Sequence, residues 1–262
     1  MTLVDYAFAD GLARITLADP EHGNALSAAL GAELLAAVRR ARQDGARVVL
    51  LSARGTAFSV GGDVKAFAAA ADLPPLVEDL AEDLHRAVTD LQRSDAIVVS
   101  VVQGIAAGAG VPLAAAADLV LAGESAAFTL AYTRIGFSPD GGSTLLPATV
   151  GLHRALHLAL LNPRWSAAEA HAAGLVAKVF PDDELAAGAE AVVAQLLAGP
   201  AAAQAAAKRL VRDAVAGSPE TAMRRESLSI AARAGEPDAA EGLAAFVEKR
   251  RPVFPSTVRD RP

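Results

Sequence analysis

Three short stretches of this chain carry residues whose types and spacing suit the removal of a proton from carbon. Two are glycine turns, Val60-Gly61-Gly62 and Gly108-Ala109-Gly110. The third is Asp140, set in Ser138-Pro139-Asp140-Gly141-Gly142. Glycine lets a backbone N–H approach another group closely. Two N–H groups that converge can hold the charge that gathers on a carbonyl oxygen when the neighbouring carbon loses a proton. A carboxylate in a Pro/Gly turn can be aimed to take that proton. Alone, either glycine turn is an ordinary strand-to-helix connection, and Asp140 is a common turn residue. Together they make an amide cradle with one acid.

The elements around them must bring these stretches together. The β-branched run 97–102 reads as a buried strand entering the Gly-rich turn 104–110, with an apolar helix through 113–117. Such a strand–turn–helix leaves backbone N–H groups free at the helix N-terminus. Residues 4–8 and 12–17 alternate as a strand pair turned at Asp10-Gly11. Ser27 suits the N-cap of a helix running to Gln43, and 47–52 reads as a buried strand. The Gly61-Gly62 turn leads into a second helix, which Asp63 is placed to cap. Pro74-Pro75 reads as an irregular link before a helix at 76–93. Short strands are expected at 118–122, 126–128 and 175–180, with helices at 151–161 and 166–173. From 182 onward the pattern is helical throughout. An α/β core, residues 1–199, followed by an α-helical region, 200–262, is the architecture this order predicts.

The bulk composition narrows the function classes. Hydrophobic residues make up 53% and charged residues 21%, which sets the chain among folded proteins. A net charge of −6 with 4% aromatics and no basic stripe argues against a nucleic-acid partner. The chain has no cysteine, hence no disulfides, thiol catalysis or Cys-ligated metal. The longest apolar run, 105–117, is interrupted by Gly108, Gly110 and Pro112 and is short for a bilayer span. The first residues lack a basic region followed by an apolar core. No membrane partner is expected, and the cytoplasm is the expected compartment.

Several stretches, taken in order, resemble the enoyl-CoA hydratase/isomerase (crotonase) family. They are Asn24-Ala25-Leu26-Ser27, then the segment from Ala57 through Val60, Gly61, Gly62 and Asp63 to Lys65, and then the segment from Gln103 to Gly110. Ala117-Asp118 follows, with Ile135 through Asp140 to Gly142, Leu146-Pro147 before Val150-Gly151, Ala172 to Val176, and Glu241 to Arg250. The resemblance covers almost the full length. It implies a ββα spiral core with C-terminal helices that form trimers or dimers of trimers, and an acyl-coenzyme A thioester as substrate. No resident cofactor or metal is implied, since coenzyme A belongs to the substrate.

Carried over position by position, the resemblance makes the N–H groups of Gly62 and Ala109 the oxyanion hole. Ala109 stands where the family usually has glycine, which keeps the donor and leaves the acyl chain less room. Ala25, Leu26, Val60, Gly61, Asp63 and Gly108 fall along the acyl-CoA site. Lys65 matches a position near the coenzyme A phosphates, and Phe246 and Lys249 match positions near the adenine and ribose phosphate. From pattern alone, Lys249 reads as a solvated helix end and Phe246 as core.

The departures from the family bear on the reaction. Hydratases of the family carry two glutamates twenty residues apart, and here those positions hold Pro112 and Tyr132. Neither is a carboxylate, whereas hydration needs one group to activate water and another to protonate carbon. Branches of the family with an acid at the position of Asp140 include isomerases that shift a double bond. The resemblance therefore implies a 1,3 proton transfer by Asp140, with Tyr132 either donating to substrate or lining the pocket. A hydratase, an aryl-CoA hydrolytic enzyme with an Asp nucleophile, and a non-catalytic acyl-CoA binder stay open as alternatives.

Other polar residues read as structural. Asp118 ends a helix or begins a strand. His22, His85 and His171 show no partner pattern, and His153 and His157, four apart, lack a third metal ligand nearby.

Overall fold

Three times in the first half of the chain a pair of strands is split between two sheets. The computed structural model, which describes residues 2–215 and 219–255, runs β1 (Val4–Ala9), β2 (Leu12–Leu17), α1 (Ala28–Gln43), β3 (Val48–Ala53) and β4 (Ala57–Ser59). Next come α2 (Val64–Ala69), α3 (Leu73–Arg93), β5 (Ile97–Val102), β6 (Ile105–Ala107), α4 (Gly110–Ala115), β7 (Leu119–Gly123) and β8 (Ala127–Thr129). Then follow α5 (Leu146–Val150), α6 (Leu152–Leu161), β9 (Trp165–Ser166), α7 (Ala167–Ala172) and β10 (Lys178–Phe180). The C-terminal helices are α8 (Leu185–Ala198), α9 (Ala201–Val215), α10 (Pro219–Ala234) and α11 (Pro237–Val247).

One sheet has the order β1-β2-β3-β5-β7-β10 and the other β4-β6-β8-β9. The pairs β3/β4, β5/β6 and β7/β8 each give their first strand to the larger sheet and their second to the smaller, so the chain spirals between the two. Within each sheet these strands are parallel, which puts their C-terminal ends, and the turns that follow, on one side. Burial drives the arrangement: β5 is buried at all six positions, as the β-branched sequence requires of a strand covered on both faces.

Some boundaries differ from the sequence reading. The Gly-rich turn contains a strand of its own, β6, too short to show a period. Pro74 and Pro75 do not interrupt a link. They sit in the first turn of α3, where a missing N–H and a fixed φ are tolerated. The strand expected at 175–180 is confined to β10, and α5 was not foreseen. Of the expected C-terminal region 200–262, residues 216–218 and 256–262 lie outside the described residues, as does Met1.

The C-terminal helices return to the core. α10 packs along α3, and α11 packs on α2. α9 is anchored by Lys208, whose ammonium donates to the carbonyls of Leu91 and Ala96 at 2.9 and 2.8 Å and pairs with Asp118 at 3.0 Å. Asp118 precedes β7, accepts the Val98 N–H and also pairs with Arg212. No single helix among the described residues is long and apolar enough to cross a membrane.

Candidate active site

The first glycine turn is held by the loop at 19–24. Asn24 is fully buried at φ 54°. Its side chain donates to the carbonyls of Arg54 and Ala57 and accepts the Asp19 N–H, each at 2.9 Å. The Ser59 hydroxyl donates to the Asn24 carbonyl, and the Val60 N–H to Gly23. The Leu26 N–H then donates to the Gly61 carbonyl at 2.8 Å. A trans peptide sets its N–H opposite its C=O, so this bond turns the Gly62 N–H away from Leu26.

The second turn obeys the same logic. The Gly108 N–H donates to Thr129, and the Gly108 carbonyl accepts the Val111 N–H at the start of α4. The Ala109 N–H therefore faces away from the helix. Among the described residues, neither the Gly62 nor the Ala109 N–H has a hydrogen-bond acceptor. The turns touch: a Cβ on Gly61, at φ 88°, would lie 2.8 Å from the Ala107 carbonyl oxygen and 3.2 Å from Gly108 Cα. Glycine at 61 is a condition for the close approach.

The acid-bearing turn packs on the second of these. A Cβ on Gly141 would lie 2.8 Å from Ala109 Cβ. The Asp140 carbonyl accepts three donors: the Tyr132 hydroxyl at 3.1 Å, the Ser143 hydroxyl at 2.7 Å and the Ser143 N–H at 3.2 Å. The Asp140 side chain is only 6% exposed, and its Oδ1 lies 2.9 Å from His85 Nε2 of α3. The ring is turned so that its N–H does not lie along that line. Behind them stands Glu226 of α10, with Oε2 at 3.8 Å from the same His85 nitrogen. Glu226 accepts the Gly142 and Thr144 N–H groups at 2.7 and 2.6 Å, and the Thr144 hydroxyl.

Burial pushes the Glu226 carboxyl above its ordinary range, against the opposing pull of the Thr144 and Gly142 donors. Burial, followed by the nearby Asp140 and Glu226 charges, pushes the Tyr132 phenol well above its usual value. Tyr132 thus stays a hydroxyl donor. Ligand atoms of His85, Asp140 and Glu226 lie within 4.8 Å of one another, a donor set of the type that suits zinc. Both Glu226 oxygens already accept donors from Gly142 and Thr144, which orients that carboxylate toward the backbone following Asp140.

The remaining expected residues fall on several parts of this frame. Ala25 and Leu26 are buried beside the first turn, and Val60 is 43% exposed. Asp63 caps α2 by accepting the Ala66 N–H. Lys65 is exposed on α2. Phe246, near the end of α11, is 53% exposed and so is not core, and Lys249 follows at φ 55°. Pro112 sits in the first turn of α4, where a helix needs no N–H. It borders a groove of about 1250 Å³ that takes in Gly142, Asp118 and Lys208 but not Asp140, Gly62 or Ala109.

Sequence reasoning missed His85 and Glu226. The spacing Ala81, Leu84, His85, Val88 marks one buried face of α3, and Met223, Glu226, Ser227, Ile230 one face of α10. An ionisable residue inside an i, i+3, i+4, i+7 apolar set was the available signal.

The enoyl-CoA hydratase/isomerase family model matches residues 7–257. A probable enoyl-CoA hydratase of Rhodobacter capsulatus is 39% identical over 96% of this chain and 97% of its own. The 1,2-epoxyphenylacetyl-CoA isomerase of Escherichia coli is 34% identical over 93% and 95%. The crystal structure of an enoyl-CoA hydratase from Mycobacterium avium subsp. paratuberculosis superposes with a TM-score of 0.87 at 37% identity, over 94% of this chain and 99% of that one. With two glycine turns in contact and a full-length match in sequence and fold, this chain belongs to the enoyl-CoA hydratase/isomerase family.

Proposed function

We propose that the protein is an isomerase that moves a double bond within an enoyl-CoA by a 1,3 proton transfer. The observation that carries this reading is the buried carboxylate of Asp140 on a turn packed against Ala109, with Pro112 and Tyr132 where hydratases of the family have glutamates. The thioester oxygen sits between the Gly62 and Ala109 N–H groups. Asp140 removes a proton from C2 of a 3-enoyl thioester, the two N–H groups hold the dienolate oxygen, and Asp140 returns the proton to C4. The proton count closes on one acid, with no cofactor beyond the coenzyme A of the substrate. Lys65, Phe246 and Lys249 are assigned to the coenzyme A moiety, supported by their exposure and by the packing of α11 on α2. Exposed Leu152, Leu156 and Leu160 on α6 and Leu210, Val211 and Val215 on α9 support a homo-oligomer, a trimer or dimer of trimers. Following 3-enoyl-CoA conversion to 2-enoyl-CoA beside water addition to 2-enoyl-CoA tests the reading. Isomerisation without hydration is expected, and hydration alone overturns it.

His85 favours a second reading, in which Asp140 attacks the halogen-bearing carbon of an aryl-CoA ring, halide leaves, and water hydrolyses the aryl ester to free Asp140. A ring nitrogen 2.9 Å from the carboxylate stands where it could activate the hydrolytic water. Oxygen from labelled solvent appearing in the Asp140 carboxylate during turnover would establish that route.

A further inference from the structure

We infer that Glu226, carried by the C-terminal helix α10, is a positioning residue for Asp140 and serves as the second acceptor for the His85 Nε2–H. The inference rests on the isomerase reading, in which Asp140 alternates between carboxylate and acid. His85 Nε2 faces two carboxylates, Asp140 Oδ1 at 2.9 Å and Glu226 Oε2 at 3.8 Å. A nitrogen facing two acceptors is the one that carries the ring proton. That N–H is buried and lies along neither line in hydrogen-bond geometry. When Asp140 takes the substrate proton, it stops being a full acceptor, and Glu226 is the carboxylate left for the buried His85 N–H. A small tilt of the ring redirects it to Glu226 and lets Asp140 hold the proton. When the proton returns to substrate, the ring turns back. No proton passes between His85 and either carboxylate, so the balance of the reaction is unchanged.

Glu226 is built for a fixed acceptor. The Gly142 N–H, Thr144 N–H and Thr144 hydroxyl orient its two oxygens, and the same bonds fix the backbone that follows Asp140. The ionisable groups facing the cluster are His85 from α3, Asp140 and Tyr132 from the segment before α5, and Glu226 from α10. Among the described residues, no lysine or arginine pairs with either carboxylate.

The test uses the full chain labelled with ¹⁵N-histidine, with His85→Gln assigning the His85 ring signal. The protected Nε2–H resonance is expected to persist in Asp140→Ala, where only Glu226 remains to accept it, and to vanish in Asp140→Ala/Glu226→Ala. Loss of the resonance in Asp140→Ala alone overturns the inference. Thermal melting checks that each variant is folded, and Glu226→Leu, which also lacks an acceptor, replaces the alanine variant if it is not. This readout needs no turnover, so a failed isomerase reading is recognised separately. In the kinetic arm, Glu226→Gln should lower kcat by about tenfold or more, part of the 10²–10⁴ a general base supplies, with KM unchanged. A matched rise in KM with kcat intact overturns the positioning role.

Discussion

Leu26 donates its N–H to the Gly61 carbonyl at 2.8 Å, and this bond determines where the Gly62 N–H points. The donor half of the site is thus a consequence of how the loop at 19–24 docks on β4. Side chains contribute through Asn24 and Ser59, which hold the loop to the strand and touch no reacting atom.

Gly61→Ala should separate the two turns. The added methyl would meet the Ala107 carbonyl oxygen at 2.8 Å from a backbone at φ 88°. The expected cost is about 1–3 kcal/mol of stability, with a larger proportional loss in kcat than in coenzyme A affinity. Denaturant melts and acyl-CoA titrations measure the two separately. Wild-type turnover in this variant would contradict the cradle geometry.

Tyr132→Phe removes one of three donors to the Asp140 carbonyl and leaves both from Ser143. Stability should fall by about 1 kcal/mol, and kcat by less than about tenfold, because the phenol acts on the turn. A loss as deep as that of Asp140→Asn would put the phenol in contact with substrate.

The Glu226 carboxyl is raised in the folded chain by burial, so the folded state holds its proton more tightly than the unfolded state does. Its contribution to stability is fully present below the ordinary glutamate value and is lost as pH rises through the folded-state value. Melting temperature against pH should therefore decline more steeply across that interval in the wild type than in Glu226→Gln. Parallel curves would show that the carboxyl is not held in this way.

Lys208→Met leaves the Leu91 and Ala96 carbonyls without their donor and Asp118 with Arg212 alone. A loss of about 3 kcal/mol is expected, read by chemical denaturation. A change below about 1 kcal/mol would mean that α9 is held by its apolar contacts.

The donor turns and the acid were legible because each is a local signal: glycines where the backbone must approach or turn left-handed, and one acid in a Pro/Gly turn. The strands of the larger sheet were legible from their apolar and β-branched runs, whereas β4, β6 and β9 were not, because two or three residues show no period. His85 and Glu226 were not read as a site because their meaning is tertiary. Each lies in a long helix, and only the packing of α3 on α10 faces them to one another. Pro74-Pro75 misled for a related reason, since proline punctuates a chain whether it ends one element or opens the next.

In the proposed isomerase reaction one carboxylate, that of Asp140, performs the proton transfer. The measurement that tests it most directly is the rate of 3-enoyl-CoA conversion to 2-enoyl-CoA by wild type and Asp140→Asn, with acyl-CoA affinity measured on both. The Asn variant should lose about 10²–10⁴ in kcat with affinity preserved, the range of a general base. Undiminished isomerisation in Asp140→Asn would contradict it.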